Sequence, residues 1–497
     1  TVSVTMLRRA PLVLARRGVR SLFAAPPATP TPAFAGEPTG PCIVTDTVPG
    51  PKSLKLMDEM NEFTDARATH FFVDFAKSVG NYVVDADGNT LLDLFGHIAS
   101  LPLGYNHPNM IAAFQDPKNL PLLIHRPANG NLPPLDWPER IRGSLLQVAP
   151  KGLDHVMPMM CGSCSNENAL KAAFIRYMAR QRGDEAPTEE DVASCMQNAA
   201  PGSPPLTVLS FHGSFHGRLM GCMSATRSKA LHKLDIPAFD WPAVPFPRLK
   251  YPLAEHAAEN AAEENASLEQ VEDAIERQQR EGRPVAAMIV EPIQAEGGDN
   301  HASADFFRRL QAICKAKGVA FVVDEVQTGC GVTGHFWAHE AWDLPHSPDI
   351  VTFSKKMQIA GYYCGADMMP SQAYRIFNTW IGHPVDLLKF EAVTKTIHEE
   401  KLLENAAITG EYLLDGLTQL QQAFPQHLSN ARGQGTFCAI DAVDGAARDG
   451  ILGKLRNAGV EIGGCGDKTI RFRPSLVFTP KHASIALDIF NKVLREA

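Results

Sequence analysis

Acidic residues are absent from the first 36 positions of this 497-residue chain, although its formal net charge is -8. The same stretch contains Arg8, Arg9, Arg16, Arg17 and Arg20 among leucines and valines. A start that is amphipathic, rich in arginine and free of acids is typical of an organelle transit peptide. We therefore predict a transit peptide and a proline-rich linker over residues 1–41, and a location in the mitochondrial matrix. A disordered basic tail is the alternative.

Three further absences narrow the class of protein. No uninterrupted apolar run approaches the length that crosses a bilayer, so the sequence predicts no membrane span. The acidic charge balance argues against nucleic-acid binding, which usually needs a basic chain. The ten cysteines are scattered and follow no secretory signal, which argues against a disulfide framework. Cys161 and Cys164 form the only C-x-x-C pair.

The middle of the chain alternates between strand and helix patterns. Apolar runs at 206–210, 286–290, 319–323 and 350–353 predict buried strands, and residues 306–317 carry apolar positions at helical spacing. Residues 82–94 predict a hairpin around an Asp-Gly-Asn turn. This order predicts βαβ units, a mainly parallel sheet covered by helices, and the α/β fold class.

The chain after residue 385 has a different pattern, in which amphipathic helices are followed by short strands near 433–442 and 469–472. We predict a large domain over residues 106–384 and a smaller α+β domain over residues 385–497. We expect residues 42–105 to contribute to the smaller domain.

Two of the predicted strands deliver charged residues at their C-terminal ends. Asp324 and Glu325 follow one run, and Lys355 follows the other. Open α/β sheets build active sites along this edge. A lysine and an acid placed there indicate a pyridoxal phosphate (PLP) enzyme, in which lysine attaches the cofactor as a Schiff base and the acid contacts the pyridine nitrogen.

The adjacent Lys356 leaves this assignment ambiguous by one position. We favour Lys355, because it ends the strand run and consecutive residues of a strand point to opposite sides. A lysine that simply reaches solvent at a strand end is the alternative interpretation.

Small residues at the start of a predicted helix indicate an anion site. Gly162 and Ser163 would present free backbone amides at the helix N-terminus, where a phosphate binds well. Ordinary N-capping by Ser163 or Ser165 explains the same residues without a ligand.

Aromatic and charged side chains follow two other strands. Phe215 is suited to stack on a flat cofactor ring, and the guanidinium of Arg218 to pair with a carboxylate. A turn with a surface arginine explains these two residues equally well. Glu296 precedes two glycines, and Arg471 and Arg473 share one face of a late strand. We expect either arginine to bind a carboxylate, or to pair with Glu296 when no carboxylate is present.

Together these motifs resemble the class III aminotransferases, which are PLP enzymes of fold type I. The resemblance extends from about residue 47 to the end of the chain, and it implies an aspartate-aminotransferase-like fold. It is carried by CGSCSNEN at 161–168, FHGR at 215–218, EPIQAEGGDNH at 291–301, DEVQTG at 324–329, FWAHE at 336–340, SKKM at 354–357, RIFNTW at 375–380 and GGCGDKTIRFRP at 463–474.

The resemblance implies individual roles. Lys355 would hold the cofactor and move the proton, Asp324 would contact the pyridine nitrogen, and Gln327 would lie beside the ring hydroxyl. Phe215 would stack on the ring. The phosphate end would be formed by Gly162, Ser163 and Asn166 and, from the neighbouring subunit of a homodimer, by Thr379. The substrates would contact Ile98, Arg218, Glu296 and Arg471.

The implied reaction is a ping-pong transamination of 4-aminobutyrate (GABA) with 2-oxoglutarate, which gives succinic semialdehyde and glutamate. Arg218 would bind the carboxylate of GABA. Glu296 would pair with Arg471 while GABA is bound, because an unpaired buried arginine is costly. Glu296 would then release Arg471 to the α-carboxylate of glutamate or 2-oxoglutarate. β-Alanine and ornithine are alternative amines, and a PLP aminomutase, a racemase or a non-catalytic member are alternative functions.

Cys161 and Cys164 carry a further implication of the resemblance. Two thiolates cannot complete a four-cysteine site, whereas two copies across a dimer axis can, which predicts a shared [2Fe–2S] cluster. A pair of reduced thiols at a helix start is the alternative.

The chain also departs from the family at residues 357–365, which contain one glycine before Gly365 where the family often has two. We expect different loop packing or substrate reach there.

Overall fold

The computed structural model describes residues 22–32 and 34–496. Most of the predicted transit peptide therefore lies outside the described residues, and it stays a prediction. Within the described part of the chain, no helix combines the length and apolar character needed to span a bilayer.

Helices and strands alternate through most of the described chain. The right-handed α-helices are Pro51–Asn61, Pro108–Gln115, Leu120–Ile124, Trp137–Gly143, Gly162–Gln181, Glu189–Cys195, Met220–Ala225, Ala257–Arg280, Ala304–Lys317, Pro384–Glu399, Leu402–Ala423, Gly445–Asn457 and Pro480–Arg495. Short 3₁₀ turns span Pro117–Asn119, Leu145–Val148, Ala230–His232, Ala338–Trp342, Lys355–Met357 and Ala366–Met368.

The strands are numbered in chain order. They are β1 (Tyr82–Val84), β2 (Thr90–Asp93), β3 (His155–Met159), β4 (Thr207–His212), β5 (Ala243–Pro245), β6 (Val285–Val290), β7 (Ala320–Asp324), β8 (Ile350–Phe353), β9 (Ala360–Cys364), β10 (Leu428–Gln434), β11 (Phe437–Ala442), β12 (Val460–Glu461), β13 (Gly463–Cys465) and β14 (Thr469–Phe472).

Seven strands form the central sheet, in the order β3-β9-β8-β7-β6-β4-β5. The pairs from β5 to β8 are parallel, whereas β9 is antiparallel to both β8 and β3. A parallel connection needs a crossover of a dozen or more residues. Only residues 354–359 join β8 to β9, so β9 must return antiparallel. The predicted α/β class and mainly parallel sheet are confirmed.

Both faces of this sheet are buried, which is why its strands read as continuous apolar runs. Met288 and Val290 of β6 join a core cluster that includes Phe306 and Leu310 of the helix Ala304–Lys317. The intervening Ile289 packs on the other face, in a cluster with residues of the helix Gly162–Gln181.

Two smaller sheets complete the fold over the described residues. β10, β11, β14 and β13 form an antiparallel sheet whose inner face packs with Leu413 and Phe490 of the helices Leu402–Ala423 and Pro480–Arg495. The predicted hairpin of β1 and β2 is confirmed. β2 also pairs in parallel with the late strand β12, so the N-terminal segment and the C-terminal region share a sheet. The domain boundaries themselves stay a prediction.

Candidate active site

A cleft opens at the carboxyl ends of β7 and β8. Asp324 is the last residue of β7, and Lys355 lies two residues beyond β8. The structure brings together most of the predicted cofactor residues in the wall of this cleft. They are Gly162, Ser163, Asn166, Phe215, Asp324, Gln327 and Lys355, with Cys161 beside them.

The two adjacent lysines point to different places. Lys355 lines the cleft, whereas Lys356 is 1% exposed and donates from Nζ to the carbonyl oxygen of Ala99, 3.3 Å away. Burial, together with the positive charge of Arg471, lowers the pKa of Lys355 to about 8. Its amine is therefore closer to the neutral, nucleophilic form at physiological pH than an exposed lysine.

Asp324 is held by four donors, of which Thr352 Oγ1, 3.4 Å from Oδ1, is the most distant. Its Oδ2 accepts from Asn166 Nδ2 at 2.7 Å and lies 2.8 Å from His216 Nδ1, and its Oδ1 accepts from the amide of Val326 at 3.0 Å. This network fixes the nearly buried carboxylate in one orientation. Asn166 was expected at the phosphate end, whereas the structure places its side chain against Asp324. His216 received no role from the sequence, although it adjoins Phe215 in the same motif.

Glu291 is a second residue that sequence reasoning missed. It follows β6 directly, and its carboxyl group accepts from the amides of Phe215 at 2.9 Å and Ala295 at 3.1 Å. Burial and the nearby Asp324 raise its pKa. Glu291 therefore holds the loop that presents the Phe215 ring to the cleft. Its position at a strand end was the available signal.

The helix Gly162–Gln181 begins at the floor of the cleft. Its N-cap, Cys161, makes no side-chain capping hydrogen bond, so the capping explanation for Ser163 or Ser165 does not hold. Ser163 Oγ instead accepts from the amide of Arg218 at 3.2 Å. Gly217 has a φ of 118°, and a Cβ there would clash with Ser163. The loop thus lies directly on the helix N-terminus and leaves its first amides for an anion.

The two late arginines are engaged differently. Arg471 Nη1 pairs with Glu296 Oε1 at 2.5 Å. Burial alone would raise the pKa of Glu296, but the charge of Arg471 lowers it. Arg473 is already held by Asp299 at 2.5 Å and by Gln327 at 2.9 Å. Of the two arginines, Arg471 is therefore the partner of Glu296.

Like Glu296 and Arg471, three further predicted site residues do not line the cofactor cleft itself. Arg218 is exposed at its rim, with the guanidinium carbon 5.8 Å from the centre of the Phe215 ring. Thr379 lies in an exposed turn. Ile98 is half-exposed and lines a neighbouring cavity with Phe95 and Glu461.

Ile98 belongs to an unusual backbone segment. Gly96, His97, Ile98 and Ala99 all have φ between 50° and 63°, which makes one turn of left-handed helix. Each non-glycine residue in this conformation costs roughly 1–2 kcal/mol. Strain of this kind persists only where surrounding contacts over-determine it, and it clusters at functional sites.

The cysteine pair is arranged unevenly. Cys161 is exposed, whereas Cys164 is buried, with its sulfur 3.0 Å from Asn378 Nδ2 and 3.7 Å from Met159 Sδ. Among the described residues, no three or more histidine, cysteine or acidic side chains are grouped to hold a metal ion.

The residues present fit PLP. The cleft offers the Lys355 amine, the buried Asp324, the Phe215 ring and a helix N-terminus without a side-chain cap. These features match an imine linkage, the ring nitrogen, the ring face and the phosphate of PLP. His216 Nε2 and Asn166 Oδ1 also lack hydrogen-bond partners in this buried region, as expected where a polar group remains to be satisfied.

Comparisons with known proteins agree with this geometry. Residues 63–494 match the family described as aminotransferase class-III. The chain is 53% identical to a 4-aminobutyrate aminotransferase of Dictyostelium discoideum, over 95% of this chain and 94% of the relative. It is 52% identical to the mitochondrial 4-aminobutyrate aminotransferase of Sus scrofa, over 92% of this chain and 91% of the relative.

A solved lysine aminotransferase from M. tuberculosis has a TM-score of 0.78 and 29% identity, over 90% of this chain and 98% of that one. The expected fold type I and the use of PLP are thereby supported at the level of the family. The chain belongs to the class-III aminotransferase family.

Proposed function

We propose that this enzyme transfers the amino group of 4-aminobutyrate to 2-oxoglutarate and forms succinic semialdehyde and glutamate. The observation that carries the proposal is the ion pair between Glu296 and Arg471, whose charges both act on Lys355. An enzyme that accepts only α-amino acids needs Arg471 permanently free, whereas this pair lets the site take an amine without an α-carboxylate. The names of the two relatives at 52–53% identity point to the same substrate.

Each side chain has a task in this scheme. PLP, when bound, supplies the electron sink that stabilises the substrate carbanion. Asp324, fixed by Asn166 and His216, keeps a negative charge at the ring-nitrogen end. Lys355 Nζ takes the proton from the substrate carbon that bears the amine, which suits its lowered pKa of about 8.

The carboxylates of the two substrates would be bound at opposite sides. Arg218 at the rim binds the single carboxylate of GABA through its planar fork. Arg471 stays neutralised by Glu296 during this half-reaction. In the second half-reaction Glu296 moves away, and the α-carboxylate of 2-oxoglutarate or glutamate replaces it.

The substrate test is direct. Glutamate formation from 2-oxoglutarate is measured with GABA, β-alanine and ornithine, and the absorption spectrum of the purified holoenzyme is recorded before and after each amine. Glutamate from GABA, at higher kcat/KM than from the other two, supports the proposal. A clear preference for ornithine or β-alanine would replace the substrate. Turnover without any keto acid would favour an aminomutase or racemase, and no spectral response would favour a non-catalytic member.

We also propose that the active unit is a homodimer in which Thr379 reaches the phosphate site of the neighbouring subunit. Two segments next to Thr379 form an apolar surface, joined by the hydrogen bond from Asn131 to Tyr374 at 2.9 Å. Its exposed side chains are Leu120, Ile124, Leu132, Leu135, Tyr374 and Trp380. A second copy of this chain would cover them.

Subunit mixing tests this arrangement. We would co-refold Lys355→Met chains with Thr379→Val chains and measure glutamate formation. If Thr379 acts across the interface, hybrid dimers contain one fully intact site and activity rises above that of either parent. Activity equal to the mean of the two parents would place Thr379 in its own subunit's site.

The iron–sulfur hypothesis needs both sulfurs to face the partner subunit. The C-x-x-C spacing supports it, but the buried Cys164 sulfur, held by Asn378, does not point outward as it stands. Iron and acid-labile sulfide are measured on anaerobically purified protein, with Cys161→Ser as control. Both present in the parent and lost in the variant would support the cluster, and neither present in the parent would exclude it.

The transit peptide is tested separately, by fusing residues 1–41 to a fluorescent protein and following its import into mitochondria.

A further inference from the structure

Lys356 is a charged residue in a place that would suit an apolar one. It is 1% exposed, and its hydrogen bond is to the carbonyl oxygen of Ala99 at 3.3 Å. Burial, with the positive charge of Arg473 nearby, lowers its pKa to about 7. The proposed chemistry uses Lys355 and leaves Lys356 without a role. The hydrogen bond to Ala99 indicates that Lys356 acts on the left-handed turn of residues 96–99.

A second side chain from the same turn reaches the same segment. Gln358 Nε2 donates to the carbonyl oxygen of Ser100 at 2.6 Å and to that of Lys355 at 3.1 Å. Gln358 itself has a φ of 60°, and Lys355 has a φ of 46°. The turn after β8 is thus also a strained segment. It is tied to residues 99 and 100 by two hydrogen bonds, one from each of the residues that flank Met357.

The left-handed turn of residues 96–99 receives these bonds, and its positive φ angles are unfavourable for its three non-glycine residues. Its beginning is fixed by Asp93, whose Oδ1 accepts from the amides of Phe95 at 2.9 Å and Gly96 at 2.8 Å. A Cβ at Gly96 would clash with the carbonyl oxygen of Arg473, so this end lies against the late strand. The far end, Ala99 and Ser100, is fixed by Lys356 and Gln358.

We propose that Lys356 and Gln358 are positioning residues, which hold the left-handed turn of Ile98 at a fixed distance from the turn of Lys355. Ile98 lines the cavity beside the cofactor cleft, so its position relative to the Lys355 amine would set the length of the ω-amine that the enzyme accepts. The inference rests on the proposed function to the extent that Ile98 contacts substrate.

The first test is Lys356→Met in the holoenzyme, with the exposed Lys395→Met as control for the substitution. A loosened wall weakens substrate binding more than the chemical step. We expect the KM for GABA to rise about tenfold, with kcat changed less than about threefold, because one lost hydrogen bond of this kind is worth about one order of magnitude. The preference for GABA over ornithine should fall with it. An unchanged KM and an unchanged preference would overturn the proposal.

A rescue separates positioning from packing. Ala99 has a φ of 63°, so Ala99→Gly lowers the cost of the left-handed turn without removing the carbonyl oxygen. We expect Ala99→Gly to recover at least half of the KM change of Lys356→Met and to have little effect alone. If it recovers nothing, Lys356 acts by filling space.

A double-mutant cycle tests whether Lys356 acts through Ile98. In an Ile98→Ala background the wall is already lost, so Lys356→Met should raise the KM no further. Full additivity of the two changes would contradict the proposed route.

A milder variant covers the case in which Lys356→Met fails to fold. Gln358→Asn keeps an amide and tolerates a positive φ, but it is one methylene too short to reach Ser100. It should move KM and preference in the same direction, by about threefold. No change in this variant would count against the proposal.

The activity of the unmodified enzyme separates the two proposals. If it has no activity with any ω-amine, the proposed function fails. If it is active and these variants behave like it, only the positioning role fails.

Discussion

The two sides of the cleft are built in different ways. On the cofactor side, Asp324 ends β7 and Glu291 directly follows the neighbouring β6 of the same sheet. Their carboxyl groups are bound by backbone amides and, for Asp324, by buried side chains. On the substrate side, Ile98 follows β2 of one small sheet and Arg471 lies on β14 of another.

This difference explains which parts are rigid and which can adapt. Strand ends of a single packed sheet place side chains with little strain and little freedom. The substrate side contains a left-handed turn and the ion pair of Glu296 and Arg471, which would open in each cycle of the proposed reaction. In that proposal, specificity depends on the place where separate elements meet, and chemistry on the place where one sheet ends.

The sharpest test of this contrast uses the two adjacent lysines. We expect Lys355→Met to lower kcat by roughly 10³-fold or more, because both the attachment and the proton transfer are lost. The matched Lys356→Met should lose only about tenfold in kcat/KM. Steady-state glutamate formation measures both, with circular dichroism to confirm folding. If the two variants lost kcat/KM to the same extent, the proposed difference between the cofactor side and the substrate side would be wrong.

The next largest effect concerns the support of Asp324. Asn166→Ala removes a donor 2.7 Å from its Oδ2. A hydrogen bond to a charged group is worth about 1.5–3 kcal/mol, so we expect kcat to fall about 10- to 100-fold. The KM for GABA should stay within about twofold, because this residue does not contact the substrate carboxylate. A dominant rise in KM would place Asn166 on the substrate side.

A smaller and selective effect is expected at the ion pair. Glu296→Gln leaves the buried Arg471 without its counter-charge while GABA is bound. We expect the GABA half-reaction to slow about tenfold, whereas the glutamate half-reaction changes little, because its α-carboxylate neutralises Arg471. Stopped-flow absorbance follows each half-reaction separately. Equal slowing of both would exclude the switching role.

The last effect is on stability and leaves the chemistry aside. Burial lowers the pKa of folded Lys356 to about 7, whereas an unfolded lysine titrates near 10.4. Between these values the unfolded chain binds more protons, so this lysine destabilises the fold fully below pH 7 and less as pH rises. Lys356→Met should therefore be more stable than the parent by about 1–3 kcal/mol at pH 6, with a smaller gain at pH 9. Denaturant unfolding at both pH values measures the gain; a larger gain at pH 9 would contradict the burial argument.

Much of the cofactor side was predictable from local patterns. A buried strand shows as an apolar run, so the charged residues at its end were visible as Asp324 and Lys355. The helix start at Gly162 was visible from its small residues. His216 and Glu291 lay in the same motifs but were missed, because nothing local says which strand-end side chain turns back to support a neighbour. The site roles themselves await the variants above.

The sequence alone determined the alternation of strands and helices, and with it the sheet edge at which an acid and a lysine meet. Hydrophobic periodicity is a local property, and parallel strands of one sheet end on one side. Only the tertiary structure decided that Lys355 lines the cleft while Lys356 holds Ala99, and that Arg471, with Arg473 occupied by Asp299, pairs with Glu296. Those choices depend on distances between residues more than 150 positions apart, which packing sets and periodicity does not encode.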